Sequence, residues 1–219
     1  MNFTNAKHLT INGKSAVRLE LGGTTVWKGL PEGYTELDYI ETTGTQYIEI
    51  PDFYPNQDSR AVLELMYIKA SDGAYGSRNT TEIDGFAMRV NDSRWQPQYN
   101  DNMRTLTEPL PDHEWHTIDH NKNVWSLDGV AKWTAPYAEF TSPHPFALGG
   151  ILANRNGVKT LYEGYCRYRP CQLYQNDVFT HDLIPCKNPA GKPGMYDLLN
   201  AKFHGNAGTG EFVVGEVGA

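Results

Sequence analysis

The chain has no long apolar stretch and no leader-like N-terminus. No segment of its 219 residues approaches the roughly 20 consecutive apolar residues that a helix needs to cross a bilayer, so we expect no membrane insertion. The N-terminus, MNFTNAKHLTING, also lacks the basic-then-apolar order of a secretory signal. We therefore expect the protein to be made and folded in a cytoplasm.

The sequence also has no cluster of basic residues. Its 19 lysines and arginines are scattered singly and are outnumbered by 26 acidic residues, which gives a formal net charge of −7. Because binding to nucleic-acid phosphates requires clustered positive charge, we expect no nucleic-acid partner.

Cysteines are few and do not form a metal-binding pattern. The three, Cys166, Cys171 and Cys186, are an odd number without CxxC-like spacing. A zinc site needs that spacing or a histidine cluster in register, so we predict no metal site and interpret the cysteines as buried free thiols.

Helix-length apolar periodicity is missing as well, and short β-prone segments take its place. The chain contains 21 glycines and 13 prolines, which punctuate these segments at strand-length intervals. Residues 61–69 are nearly continuously apolar and predict a central strand packed on both faces. Phe86, Met88 and Val90 alternate with Ala87 and Arg89, as in a strand with one buried face. An all-β sandwich is the predicted fold class.

Residues 1–29 are predicted to form a unit of their own. Asn12-Gly13 and Gly22-Gly23 separate alternating segments and are strong hairpin signals, because both turn positions need positive φ. We predict a three-stranded β-meander, which is too small to be stable alone and must dock on something. A linker over residues 29–33 would then lead into a second domain, residues 30–219.

Three segments of the chain resemble a known group of domains. They are residues 37–50 (LDYIETTGTQYIEI), the sequence Trp115-His116-Thr117-Ile118 with a later Asp128-Gly129, and residues 184–212 (IPCKNPAGKPGMYDLLNAKFHGNAGTGEF). These segments are similar to concanavalin A-like (laminin G-like) jelly-roll domains of phage and prophage tail proteins and of some gut-bacterial surface proteins. The resemblance covers roughly residues 31–219, and residues 1–29 are similar to short modules that precede such domains in phage virion proteins.

The resemblance implies a lectin-like domain on the surface of a phage particle. Residues 1–29 would attach it to other virion proteins, as a tail, fibre or decoration component, and the sandwich would bind host-surface or mucosal glycans. A homotrimer would fit such a position. Two alternatives stay open: a purely structural virion subunit that binds no sugar, and a glycoside hydrolase.

The carboxylates and histidines give little support to the hydrolase or to a metal site. Glu82 and Asp84 lie at i and i+2 on one strand face, but the third acid of glucanases with this fold is missing, because Gly85-Phe86-Ala87 follows. In the sequence HEWHTIDH, His116 and His120 share a strand face about 13 Å apart, too far for one ion. We expect no catalytic residues and no metal ligands here.

Two polar clusters leave calcium open as a cofactor. Asn91-Asp92-Ser93 and Asn100-Asp101-Asn102 offer the oxygen ligands that Ca²⁺ takes, but the same residues are ordinary in turns. Turns without any cofactor are the preferred interpretation.

Aromatic residues beside amides and arginines are the better functional clue. Flat rings stack on sugar faces, while planar amides and guanidinium groups bind hydroxyls. We predict that Trp95 and Tyr99 are an exposed pair flanked by polar residues, and that Trp115 is in the core. Core packing is the alternative for Trp125 and Trp133. The predicted ligand-binding residues are Trp95, Tyr99, Arg94, Gln98, Trp125 and Trp133.

Overall fold

The structure, a computed structural model, describes residues 10–11, 14–15, 18–21, 24–69, 73–80, 83–91, 94–107 and 113–218. Of the described residues up to 28, and of residue 91, it describes only the backbone. Apart from a 3₁₀ conformation at Thr80, the regular structure described in these ranges consists of β-strands. In chain order they are β1 (Thr10–Ile11), β2 (Lys14–Ser15), β3 (Arg18–Leu21), β4 (Thr24–Lys28), β5 (Thr35–Glu41), β6 (Ile48–Ile50), β7 (Ser59–Tyr67), β8 (Tyr75–Ser77), β9 (Gly85–Asn91), β10 (Arg94–Asn100), β11 (Asn102–Met103), β12 (Trp115–Asn121), β13 (Val124–Leu127), β14 (Val130–Thr134), β15 (Phe146–Leu148), β16 (Gly150–Arg155), β17 (Val158–Glu163), β18 (Cys166–Gln175), β19 (Val178–Lys187), β20 (Pro193–Asp197), β21 (Lys202–Gly205) and β22 (Val213–Glu216).

Two sheets form a sandwich. One has ten strands in the order β14-β13-β12-β7-β18-β5-β19-β20-β21, with β22 added to β5. The other has eight, in the order β11-β10-β9-β8-β15-β6, with β16 on β8 and β17 on β16. Pairing is antiparallel except between β16 and β8. The predicted all-β sandwich is confirmed.

The core lies between the sheets and is built by period-two alternation on facing strands. On β9, Phe86, Met88 and Val90 belong to the buried cluster, while Arg89 is half-buried on the opposite face. The predicted alternation is confirmed, since successive side chains of a strand point to opposite faces. The strand is not one-sided along its whole length, however, because Ala87 on the opposite face is 0% exposed.

The strand β7 is central, as predicted, but it is not packed on both faces. It pairs with β12 on one side and with β18 on the other. Ala61, Leu63 and Leu65 are buried, whereas the outer face carries half-buried polar groups such as Arg60, which pairs with Asp119 at 2.8 Å. Trp115 also lies half-buried on this outer face, with Arg169 stacked 4.0 Å from its ring, so the prediction of a core position for it is wrong.

A short polar relay crosses the apolar core. Trp125 Nε1 donates a hydrogen bond to Tyr75 Oη at 3.0 Å, and Tyr75 Oη lies 3.3 Å from His120 Nδ1. A neutral His120 with an unprotonated Nδ1 can accept the phenol proton of Tyr75 at this distance. Burial lowers the pKa of His120 to about 3, and the ring stacks on Phe86 at 3.9 Å between centroids.

The three cysteines are free and buried, as predicted. Burial raises the pKa of Cys166 and of Cys186 to about 12, because desolvation disfavours the thiolate. These thiols are small apolar packing groups in the sandwich.

Two segments that carry the resemblance lie against each other. Thr209 N donates to Thr45 O at 3.0 Å, and Ala207 N donates to Tyr47 O at 2.9 Å. A Cβ at Gly208 would lie 1.9 Å from Thr45 O, so only glycine permits this approach. The turn-rich C-terminal stretch therefore packs by backbone contact against residues 45–47.

The N-terminal residues show paired strands where hairpins were predicted. Thr10–Ile11 pairs with Lys14–Ser15, and Arg18–Leu21 pairs with Thr24–Lys28, both antiparallel. The predicted turns at residues 12–13 and 22–23 lie outside the described residues. The meander as a separate unit, and the boundary at residue 29, stay predictions. Among the described residues, no helix is long and apolar enough to cross a membrane.

Candidate functional site

The predicted aromatic site is in the core. Trp95 and Tyr99 are 0% exposed, and the expectation that they form an exposed pair is wrong. Strand β10 alternates, so Trp95 and Tyr99 face inward while Arg94 and Gln96 face outward. The Trp95 ring packs 5.8 Å from Trp125, and Tyr99 packs edge-on against Phe140 at 5.2 Å.

The other four predicted ligand-binding residues do not form a common surface site. Trp125 is 0% exposed and belongs to the core relay. Trp133 is half-buried against the core cluster, and the exposed Arg94 donates through Nη1 to Thr107 O. Gln98 is 2% exposed because its amide is folded over Gly85, where a Cβ would lie 2.3 Å from Nε2.

The outer face of the eight-stranded sheet instead carries a row of oriented polar groups. Arg89 on β9 is the cross-strand partner of Gln96 on β10, and Arg89 Nε donates to Gln96 Oε1. Gln96 Nε2 in turn donates to Thr105 Oγ1 at 2.7 Å. This chain of hydrogen bonds fixes the guanidinium group of Arg89 above the sheet.

The β16–β17 hairpin forms a wall beside this row. At Gly149, with φ of +99°, the chain reverses, so that β15 runs antiparallel and β16 parallel to β8. Cβ atoms at Gly73 and Gly150 would each lie 2.4 Å from Tyr162 O. The two glycines therefore let the backbone of Tyr162 come close to the start of β8.

Between the hairpin and strand β9 lies a cleft of about 660 Å³. Arg78, 4% exposed, places its guanidinium 4.6 Å from the centroid of the Tyr162 ring and donates its backbone N–H to Leu152 O at 2.9 Å. The lining residues are Arg78, Asn79, Thr80, Arg89, Asn154, Arg155, Asn156, Gly157 and Tyr162.

Amide groups hold the rim of the cleft together. Asn154 Nδ2 donates to Asn79 Oδ1 at 3.3 Å, and Thr80 N donates to the same oxygen at 2.8 Å. Asn79 Nδ2 donates to Asp84 Oδ2 at 3.1 Å. The cleft is thus a pre-formed concavity with one aromatic ring and several planar polar groups, an arrangement suited to a small polar ligand.

A second groove, of about 870 Å³, lies on the other side of the sandwich. Its walls include Leu30 and Pro31 of the linker, Ile184 of β19 and the carboxylates of Glu36 and Glu64. It adjoins the segment that connects to residues 1–28, and it lacks the convergent amides of the cleft.

The remaining predictions about site chemistry have mixed outcomes. Glu82, Asp92 and Ser93 lie outside the described residues, so the carboxylate pair and one calcium cluster cannot be placed. Asn100-Asp101-Asn102 forms the hairpin turn between β10 and β11, with Asn100 at a φ of 53°. Turns without a cofactor stay the prediction, with calcium as the open alternative. His116 and His120 share the inward face of β12, as predicted, and are buried.

The fold defines the molecule as an all-β protein with two sheets in a sandwich, antiparallel apart from the pairing of β16 with β8. A solved structure from Bacteroides ovatus ATCC 8483, described as a "putative carbohydrate binding protein", is similar to it, with a TM-score of 0.53 and 11% sequence identity. The superposition covers 94% of this chain and 67% of that chain. No protein-family model matches the chain, and no curated protein matches it. At this identity the likeness shows the fold alone.

Proposed function

We propose that this protein is a non-enzymatic glycan-binding domain with a concanavalin A-like jelly-roll topology, and that its binding site is the cleft between β9 and the β16–β17 hairpin. The observation that carries the proposal is the arrangement of Tyr162 with planar amide and guanidinium groups in one pre-formed concavity. The fold shared with a protein described as carbohydrate-binding supports it.

The chemistry of the cleft suits a saccharide. A sugar ring presents an apolar C–H face, which stacks on an aromatic ring, and hydroxyl groups at its edge, which bind to amides and guanidinium groups. Tyr162 supplies the ring, one face of which packs on the Arg78 guanidinium, and Asn154 and Arg89 also line the cleft. Because glycines and the hairpin pairing fix these groups before the ligand arrives, little ordering entropy is lost on binding.

A glycan array tests this proposal. We expect wild-type protein to bind a subset of glycans without cleaving them, and Tyr162→Ala to reduce that binding about tenfold or more, through loss of the stacking surface. Tyr54→Ala is the matched control, since Tyr54 is 43% exposed and is not a cleft residue. Absence of binding to every glycan, or equal losses in both variants, would overturn the proposal.

We further propose that the domain is displayed on a phage virion and attached through residues 1–29. The resemblance of residues 37–50 and 184–212 to phage tail domains motivates this. Removing residues 1–29 should leave a folded sandwich. This truncated protein should no longer bind to phage particles and should no longer form a homotrimer. Sedimentation with particles and light scattering check this, and a truncated protein that still co-sediments with particles would contradict it.

A further inference from the structure

The charge of the cleft differs in sign from the charge of the whole chain. The chain has a net charge of −7, yet Arg78, Arg89 and Arg155 all line the cleft. Among the lining residues that the structure describes, none is an aspartate or glutamate, and the one carboxylate that the described contacts place at the rim is Asp84, which accepts from Asn79 Nδ2 at 3.1 Å. Three arginines against this one carboxylate leave the region positive. A cleft with low-dielectric walls concentrates the field of such charges, so this region should attract anions despite the acidic character of the protein.

The three guanidinium groups are held in different ways. Arg78 is stacked on Tyr162, with its guanidinium 4.6 Å from the ring centroid, and Arg89 is oriented by its bond from Nε to Gln96 Oε1. Arg155 ends β16 and is exposed at the hairpin turn. Two of the groups are therefore pre-oriented, and the third lies at the entrance.

We infer that the cleft selects acidic saccharides, in which a carboxylate or sulfate group is held by the arginines while the sugar ring lies on Tyr162. The planar guanidinium fork matches a carboxylate or sulfate with two parallel hydrogen bonds, which a neutral hydroxyl does not form. This inference rests on the proposed glycan-binding function and adds its ligand class.

Pairs of ligands that differ only in their acidic group test whether that group contributes to binding. The probes are oligogalacturonate and the same oligosaccharide as its methyl ester, together with a sulfated and a desulfated glycosaminoglycan fragment. We expect the acidic member of at least one pair to bind about tenfold or more tightly than its neutral partner, since charge-assisted hydrogen bonds are the stronger ones. The affinity should fall as NaCl rises from 50 to 500 mM.

Matched charge variants separate the cleft from general electrostatics. Arg89→Gln and Arg155→Gln should each weaken binding of the acidic probe, whereas Arg94→Gln should leave it unchanged. Arg94 is exposed on the neighbouring strand and is not a cleft residue, and its substitution changes the net charge equally. Thermal unfolding of each variant verifies that it is folded.

The outcomes distinguish the inference from the function on which it rests. Equal binding of acidic and neutral partners, lost in Tyr162→Ala, overturns the acidic preference and keeps the glycan-binding function. Equal weakening in Arg94→Gln and Arg155→Gln also overturns the inference. Absence of binding to all probes and to the full glycan array overturns both.

Discussion

Trp95→Ala is expected to lower the free energy of unfolding by about 3–5 kcal/mol, the range for removing a large aromatic side chain from a core. The side chain is fully buried and packs on Trp125 and on His116, with ring centroids 5.8 Å and 5.6 Å away. Its removal leaves a cavity that two sheets held by backbone pairing cannot close. Denaturant unfolding followed by circular dichroism measures the loss.

Trp133→Ala is the control for this prediction. Trp133 is half-buried at the margin of the core, so its truncation should cost less, roughly 1–2 kcal/mol. A Trp95→Ala protein that kept its full stability and lost only glycan binding would show that Trp95 contacts ligand and would contradict the cleft assignment.

The stability of the protein is expected to fall as the pH falls below about 6.5, by about 2–3 kcal/mol between pH 7 and pH 4.5 from His120 alone. Its pKa is lowered to about 3 in the folded state, by burial, from 6.5 in the unfolded chain. Between these values the unfolded state binds a proton that the folded state does not, so acid favours unfolding. Burial also lowers the pKa values of His144 and His204, which adds to the same trend.

His120→Phe isolates this contribution. The variant keeps a ring that stacks on Phe86 but loses the acceptor for Tyr75, so it should be less stable at pH 7 and depend less on pH. The readout is the difference between the free energies of unfolding at pH 7 and pH 4.5. An equal difference in wild type and variant would mean that folding does not shift the pKa of His120 and would contradict the prediction.

The fold class could be predicted from the sequence, because an all-β fold is indicated by period-two patterns and turn residues. Phe86, Met88 and Val90 alternate cleanly, and β9 is the strand they predict. The burial of β10 was mispredicted because neither face of the strand is clearly apolar. One face carries Trp95, Pro97 and Tyr99, and the other carries Arg94, Gln96 and Gln98. Both sets are compatible with exposure, and tertiary packing alone decides which of them faces the core.

The cleft was not predicted, although one of its walls has a sequence signal. Asn156-Gly157, with φ of 53° and 78°, is an Asn-Gly hairpin turn between β16 and β17 and could have been recognised. The position of that hairpin beside Arg89 could not have been predicted, because it depends on the chain reversal at Gly149 and on a parallel pairing between β16 and β8. The local periodicity of a sequence does not determine how strands distant in the chain pair.

The location of a bound saccharide tests the central claim most directly. A crystal structure of the protein with the tightest-binding glycan from the array should place the sugar ring on Tyr162, with its polar groups directed to Arg89 and Asn154. A sugar bound in the groove beside Leu30 and Glu64, or at the loops at the ends of the sandwich, would contradict the assignment of the cleft.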